Sequence, residues 1–235
     1  QMAGQMESLL EGVAVFMKAL LPAYYIALTG ACGVATATAF YQMILILIFL
    51  TEKILLLFIL PAIRMYLVLE LINFLTKEEF LSKMTELLKN GILWALKSMV
   101  GVIVGIQLIQ RLISPAVDTL KRSLIGRTAG ALPGVGNLFS GITEVVLGSA
   151  VLIKNCLGAT AIVILLLAGA APLCRMGISA LVYQFLAALV QPVTDKRMVG
   201  CIHTMGESLG MLVRLLLTME ILFLLTIAIL AGSLQ

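Results

Sequence analysis

ALLPAYYIALTGACGVATATAFYQMILILIFLT, residues 19–51, contains no Asp, Glu, Lys or Arg. A single helix of that length would run about 50 Å at 1.5 Å per residue. A hydrocarbon core is about 30 Å thick and is crossed by roughly 20 apolar residues. The stretch is therefore either one strongly tilted helix or two arms broken near Gly30 and Gly33. In the second case the small-residue run Ala35-Thr-Ala-Thr-Ala39 opens the second arm, which ends at Leu50. Both readings make the protein a membrane protein.

The rest of the chain repeats the pattern. Residues 155–174 and 176–194 also lack charged side chains. Hydrophobic residues make up 61% of the 235-residue chain and charged ones 12%, against about 25% in soluble domains. A transmembrane barrel would show alternating strands of about ten residues rather than continuous apolar runs. The reading is all-α: a polytopic helical membrane protein, one transmembrane domain over 1–235 with five to seven crossings. The net charge of +4 is spread along the chain, which suits membrane-flanking Lys and Arg and not a nucleic-acid face. Cys32, Cys156, Cys174 and Cys201 are widely spaced and lack any CxxC or Cys/His cluster. They read as buried free thiols, with no metal or other cofactor implied. The chain begins at Gln1 without a signal-peptide layout, so a processed or trimmed product is expected.

Irregular helices are expected between the spans. Residues 1–21 hold an amphipathic helix interrupted by Glu7, Glu11 and Lys18 and broken by Pro22. Residues 54–75 form a span carrying Pro61, Arg64 and Glu70. Thr76 and Glu79 form a capping box for an interfacial amphipathic helix over 76–90, stopped at Asn90-Gly91. Residues 92–113 return to the membrane with the GxxxG pair Gly101 and Gly105, a spacing that permits close helix contact. Ser114-Pro115 restarts a short helix, whose basic cluster (Lys121, Arg122, Arg127) faces the cytoplasm. Helix breakers Pro133, Gly134 and Gly136 precede a helix over 138–155. The short apolar arms 157–171 and 176–191, with Pro172 between them, suit a membrane hairpin or re-entrant pair. Gln191-Pro192 breaks the chain again. An interfacial amphipathic helix over 195–210 follows, then a last span over 211–232.

No catalytic signature survives inspection. His203 has no HExxH around it. Ser140 lacks the Gly two residues earlier that an intramembrane serine protease requires, and no GK[ST] follows the glycines at 134 and 136. The chain is not expected to be an enzyme. Charges inside the membrane are the stronger lead, because an ionisable group in hydrocarbon costs several kcal/mol and usually faces a cavity or partner. Glu220 lies near the middle of the last span and Glu144 is isolated by apolar sequence on both sides. Each lines an aqueous pathway or makes a polar bond between helices. Asn137, Ser140, Lys154 and Asn155 join them as candidate pathway residues. Arg64, Lys97 and Arg214 are expected to reach the interface, and Glu70 to reach water.

The C-terminal half carries an ordered set of residues. These are Leu132-Pro-Gly-Val-Gly-Asn-Leu-Phe-Ser140, Gly148-Ser-Ala-Val-Leu-Ile-Lys-Asn155 with Gly158, and Tyr183. Ala187-Ala188, Gln191-Pro192, Asp195-Lys196-Arg197 and Gly206-Glu-Ser-Leu209 complete it. In this the chain resembles the stage III sporulation protein AE family of endospore-forming bacteria. The resemblance implies a multi-pass protein of the outer forespore membrane, made in the mother cell. It implies one part of a channel, or feeding tube, joining mother cell and forespore. Its partners would be membrane lipid, further copies of itself, the other proteins of the stage III sporulation A operon, and a protein of the forespore membrane. The family supplies no catalytic residues to carry over. A homo-oligomeric channel or export gate is the first functional reading. A permease-like secondary transporter and a non-conducting scaffold are the alternatives.

Overall fold

The computed structural model describes the backbone of residues 2–32, 34–76, 81–129 and 136–232. It describes their side chains except at 2, 3, 31, 32, 36, 109–129, 136–144, 146, 147 and 232. Every described element is helical: α1 Met2–Cys32, α2 Val34–Ile54, a π-helical turn Leu55–Ile59, α3 Leu60–Leu75, α4 Ser82–Ala129, α5 Gly136–Val190 and α6 Lys196–Gly232. Five of the described stretches are long and apolar enough to cross a membrane: Gly4–Gly30, Ala37–Leu75, Ser82–Leu108, Gly148–Val190 and Lys196–Ala231. The protein is thus an all-α, multi-pass membrane protein.

The opening stretch is two arms. The Tyr25 phenol lies 3.2 Å from the Thr38 hydroxyl, which itself donates to the Val34 carbonyl. The rings of Tyr25 and Tyr41 meet edge to face, 5.4 Å between centroids. In one unbroken helix residues 25 and 38 would be about 20 Å apart, so α2 must fold back along α1.

Elsewhere helices continue where breaks were expected. Pro172 lies inside α5, so 157–171 and 176–191 are one helix and not a hairpin. Pro172 has no N–H for the fourth carbonyl back. Opening a hairpin there would leave far more backbone unbonded in hydrocarbon than that one carbonyl. α4 likewise runs through Asn90-Gly91 and Ser114-Pro115, which absorbs the interfacial helix 76–90 from Ser82 onward. The Thr76 hydroxyl donates back to the carbonyls of Ile72 and Asn73 and closes α3. Its capping-box partner Glu79 lies outside the described residues. The amphipathic segment 195–210 forms the first turns of α6. Gln191-Pro192 does end a helix: α5 stops at Val190 and a turn leads to Lys196. Before Pro61 the chain widens into the π turn, with the Leu60 N–H reaching the Leu55 carbonyl five residues back. That local widening accommodates the proline ring within a continuing helix.

The chain forms two compact units: residues 1–14, 49–101 and 165–222, and residues 15–48, 102–164 and 223–235. Within the first, α3 runs antiparallel to α6, since Tyr66 meets Glu207 and Phe74 fills the space beside Gly200. α5 is antiparallel to α6 too, Gly169 facing Glu220 and Gly206 facing Ala180 and Gln184. α4 starts there beside α6, Lys89 reaching Glu207. Within the second unit, Gln107 of α4 bonds Thr226 of α6, and Gly158 of α5 faces both Ala231 of α6 and Tyr24 of α1. The small residues Gly158, Gly169 and Ala180 recur every 11 residues, three helical turns, so they share one face of α5.

α6 is the core helix. Leu215, Leu216, Met219, Leu222, Phe223 and Ile227 on it are at most 1% exposed. The most apolar window of its span is 56% buried, against 22% for that of α5, which turns Leu167, Leu181, Phe185 and Leu189 outward. A Cβ at Gly101 or Gly105 would meet nothing within 4 Å among the described residues, so this pair makes no close helix contact with them. Of the cysteines, Cys156 and Cys174 are exposed rather than buried. The breakers Pro133 and Gly134 lie outside the described residues, and Gly136 opens α5.

With the native cysteines replaced, cysteines introduced at positions 25 and 38 are expected to cross-link readily with a short bifunctional reagent. No cross-link in the folded protein would mean a continuous first helix.

Candidate functional site: a buried polar cluster along α6

Tyr66 projects from α3 one turn before Glu70 and two turns before Asn73, so the three form a stripe on one face. The antiparallel pairing lays this stripe along the first half of α6. The Tyr66 phenol donates to Glu207 Oε2 at 2.6 Å, and the Lys89 ammonium of α4 donates to Oε1. One carboxylate therefore joins three helices through two charge-assisted bonds, stronger than neutral ones. The Lys89 and Glu207 side chains are 36% and 27% exposed, so water screens the pair in part. Around it, Glu70 Oε2, Asn73 Oδ1 and Ser208 Oγ are buried without a hydrogen-bond partner among the described residues. Glu70, expected to reach water, is part-buried near the exposed end of α3, with one of its two carboxyl oxygens enclosed. Arg64 pairs with Glu7 at 2.8 Å near the surface, both roughly half exposed, where an ion pair is worth little.

Glu220 lies 13 residues further along α6, about 20 Å. It is 4% exposed and its carboxyl fills the space beside Gly169 of α5. In the second unit the Gln107 side-chain amide donates to the Thr226 hydroxyl at 2.9 Å. Gln107 Oε1 is left without a partner at the edge of a cavity of about 10 Å³, the lower limit for one water. Tyr24 buries its phenol against Gly158. A larger open groove between α1 and α5, around Ile26, Ala150 and Ile153, is apolar, and the Ser149 hydroxyl on it bonds its own Val145 carbonyl. That groove offers no polar chemistry.

Of the residues singled out from sequence, Glu220 and Lys154 are buried, Lys154 at 1% exposure, and Asn155 is exposed. The side chains of Glu144, Asn137 and Ser140 lie outside the described residues. Glu220 belongs to the first unit and Lys154 to the second. Sequence reasoning passed over Tyr66, Lys89 and Glu207. Their only sequence signal is a Glu flanked by Gly and Ser within an amphipathic run, because the partners are 141 and 118 residues away. No group of three or more His, Cys, Asp or Glu side chains able to hold a metal occurs among the described residues.

These features define a class: a multi-pass helical membrane protein whose central helix carries buried polar and ionisable side chains. The sequence model of the stage III sporulation protein AE family matches residues 2–233. The chain belongs to that family. It is 24% identical over 222 residues to the stage III sporulation protein AE of Bacillus subtilis (strain 168), an alignment covering 93% of this chain and 56% of that protein. The chain thus spans little more than half the length of this relative. No solved structure matches it.

Replacing Lys89 by Met should destabilise the protein by about 1 kcal/mol, because the part-buried Glu207 loses its cation while water screens the remaining charge. The double change Lys89→Met with Glu207→Gln should recover part of that loss. Thermal unfolding in detergent measures both, and equal losses would mean the pair is not coupled.

Proposed function

We propose that the chain is a membrane component of the channel between mother cell and forespore. It sits in the outer forespore membrane and assembles as a homo-oligomeric channel or export gate. The observation that carries this reading is the row of polar groups on α6, from the part-buried Glu207 with its Tyr66 and Lys89 donors to the buried Glu220. Ionisable groups kept inside a membrane mark ion and substrate pathways. Self-association is supported by the broad apolar face of α5 and by Gly101 and Gly105, whose open sides admit a second helix. The partners proposed are the other proteins of the stage III sporulation A operon and a protein of the forespore membrane. The protein acts by conducting and not by catalysis.

A permease-like transporter is the second reading. It is favoured by one observation: the Tyr66, Lys89 and Glu207 cluster is completed within a single chain.

In an endospore-forming host, the full-length protein with Glu207→Gln or Glu220→Gln should reach the membrane in normal amounts. It should yield at least about tenfold fewer heat-resistant spores, as expected when a pathway charge is removed. Normal spore counts with both variants would assign the protein to scaffolding. Imaging of purified particles separates the other two readings: a symmetric ring supports the channel, and an isolated monomer supports the permease.

A further inference from the structure

Glu220 combines near-complete burial with an unanswered charge. Its Oε1 is buried and has no hydrogen-bond partner among the described residues. Its position depends on Gly169. A Cβ built at that glycine would lie 0.9 Å from Oε1, 2.1 Å from Cδ and 2.8 Å from Oε2. The carboxyl thus occupies the volume that any other residue at 169 would take. The glycine makes a notch, and the carboxyl is seated in it.

Among the described residues, the surrounding helices bring no counter-charge to that notch. α5 has no charged residue from 155 to 174, and α6 has none but Glu220 from 215 to 232. Arg175 and Arg214 each lie six residues away, about 9 Å along their axes and turned well off the shared face, and both are exposed. On α4 the Lys97 side chain is exposed. On α2 the Lys53 ammonium sits 5.7 Å above the Phe49 ring of its own helix. The Thr218 hydroxyl is committed to the Arg214 carbonyl at 2.8 Å. An ionised carboxylate left alone in such surroundings is very costly, so a positive species has to accompany it. A divalent ion on this single carboxylate would leave a net positive charge in the same apolar surroundings, whereas a monovalent one leaves none.

We propose that Glu220, seated in the Gly169 notch, is an exchange site for a small monovalent cation, a proton or a sodium ion. Its service as the gating or coupling ion rests on the pathway reading above, whereas its occupancy does not, and occupancy alone is what the experiment reads. Dicyclohexylcarbodiimide reacts with protonated carboxyls in apolar surroundings. The acid proton passes to a carbodiimide nitrogen, the carboxyl oxygen adds to the central carbon, and the acyl group then shifts to nitrogen. The product is a stable N-acylurea, with nothing released and nothing oxidised.

The full 235-residue chain in phospholipid vesicles, in sodium-free buffer, should become labelled on the peptide containing Glu220. Labelling should be several-fold faster in mildly acidic than in alkaline buffer. Added sodium slows it if the site takes sodium and leaves it unchanged if the site takes protons alone. Either result supports the exchange site and names its ion. Glu220→Gln should abolish the label on that peptide. Gly169→Ala should lower it several-fold by displacing the carboxyl, with circular dichroism confirming that helix content is kept. Glu207, held by Lys89 and Tyr66, is the internal control and should stay unlabelled. Absence of label on Glu220 in the unaltered protein would overturn the proposal, and so would equal labelling in a folded Gly169→Ala protein. Labelling at Glu220 alongside normal spore counts for Glu220→Gln would keep the site and remove its role in the pathway.

Discussion

Glu207 accepts from Tyr66 of α3 and from Lys89 of α4, and this junction fixes how both helices lie against α6. Polar side chains among apolar helices can bond across from one helix to another, and Glu207 does so twice. With Phe74 beside Gly200, the Tyr66 bond sets α3 antiparallel to α6. The Gln107–Thr226 bond repeats the α4–α6 relation within the second unit, at nearly the same sequence separation, 119 residues against 118. Apolar contacts alone would not set such a register, because lipid tails are as apolar as Leu and little is gained by exchanging one for the other. Packing around α6 therefore combines small-residue contact along α5 with a few polar bonds that choose the alignment.

Backbone hydrogen bonding explains why the helices are so long. Gly148–Val190 alone would extend about 65 Å, roughly twice a hydrocarbon core. Proline is absorbed at 22 and 172 within helices and at 61 behind a π turn, yet the chain turns at Gln191-Pro192. Identical local chemistry has different outcomes. The difference lies in packing: Gly206, Gly169 and Gly158 bring α5 and α6 together as an antiparallel pair, which requires a reversal between 190 and 196.

Among the described residues only Lys154 and Glu220 are buried charged side chains, one in each unit, while the broad apolar surface of α5 faces out. The architecture is that of a multi-pass membrane protein of a sporulation family. It departs from the expectation of broken and re-entrant arms, since the polar character comes from side chains on continuous helices and not from opened backbone.

The amino-acid sequence by itself determined the class: membrane helices, all-α, with Glu220 as an intramembrane charge and a turn at Gln191-Pro192. Those features follow from composition and from the length of uncharged runs, which are local properties. The break near Gly33 was one of two open alternatives, and only the Tyr25–Thr38 contact decided it. The Tyr66–Glu207–Lys89 junction, the notch at Gly169 and the lack of a partner for Gly101 and Gly105 were decided by tertiary structure alone. Each depends on which residue of a distant helix arrives at the same level. Hydropathy carries no record of that arrival, because a Gly that receives a carboxyl and a Gly that faces open space look alike along the chain.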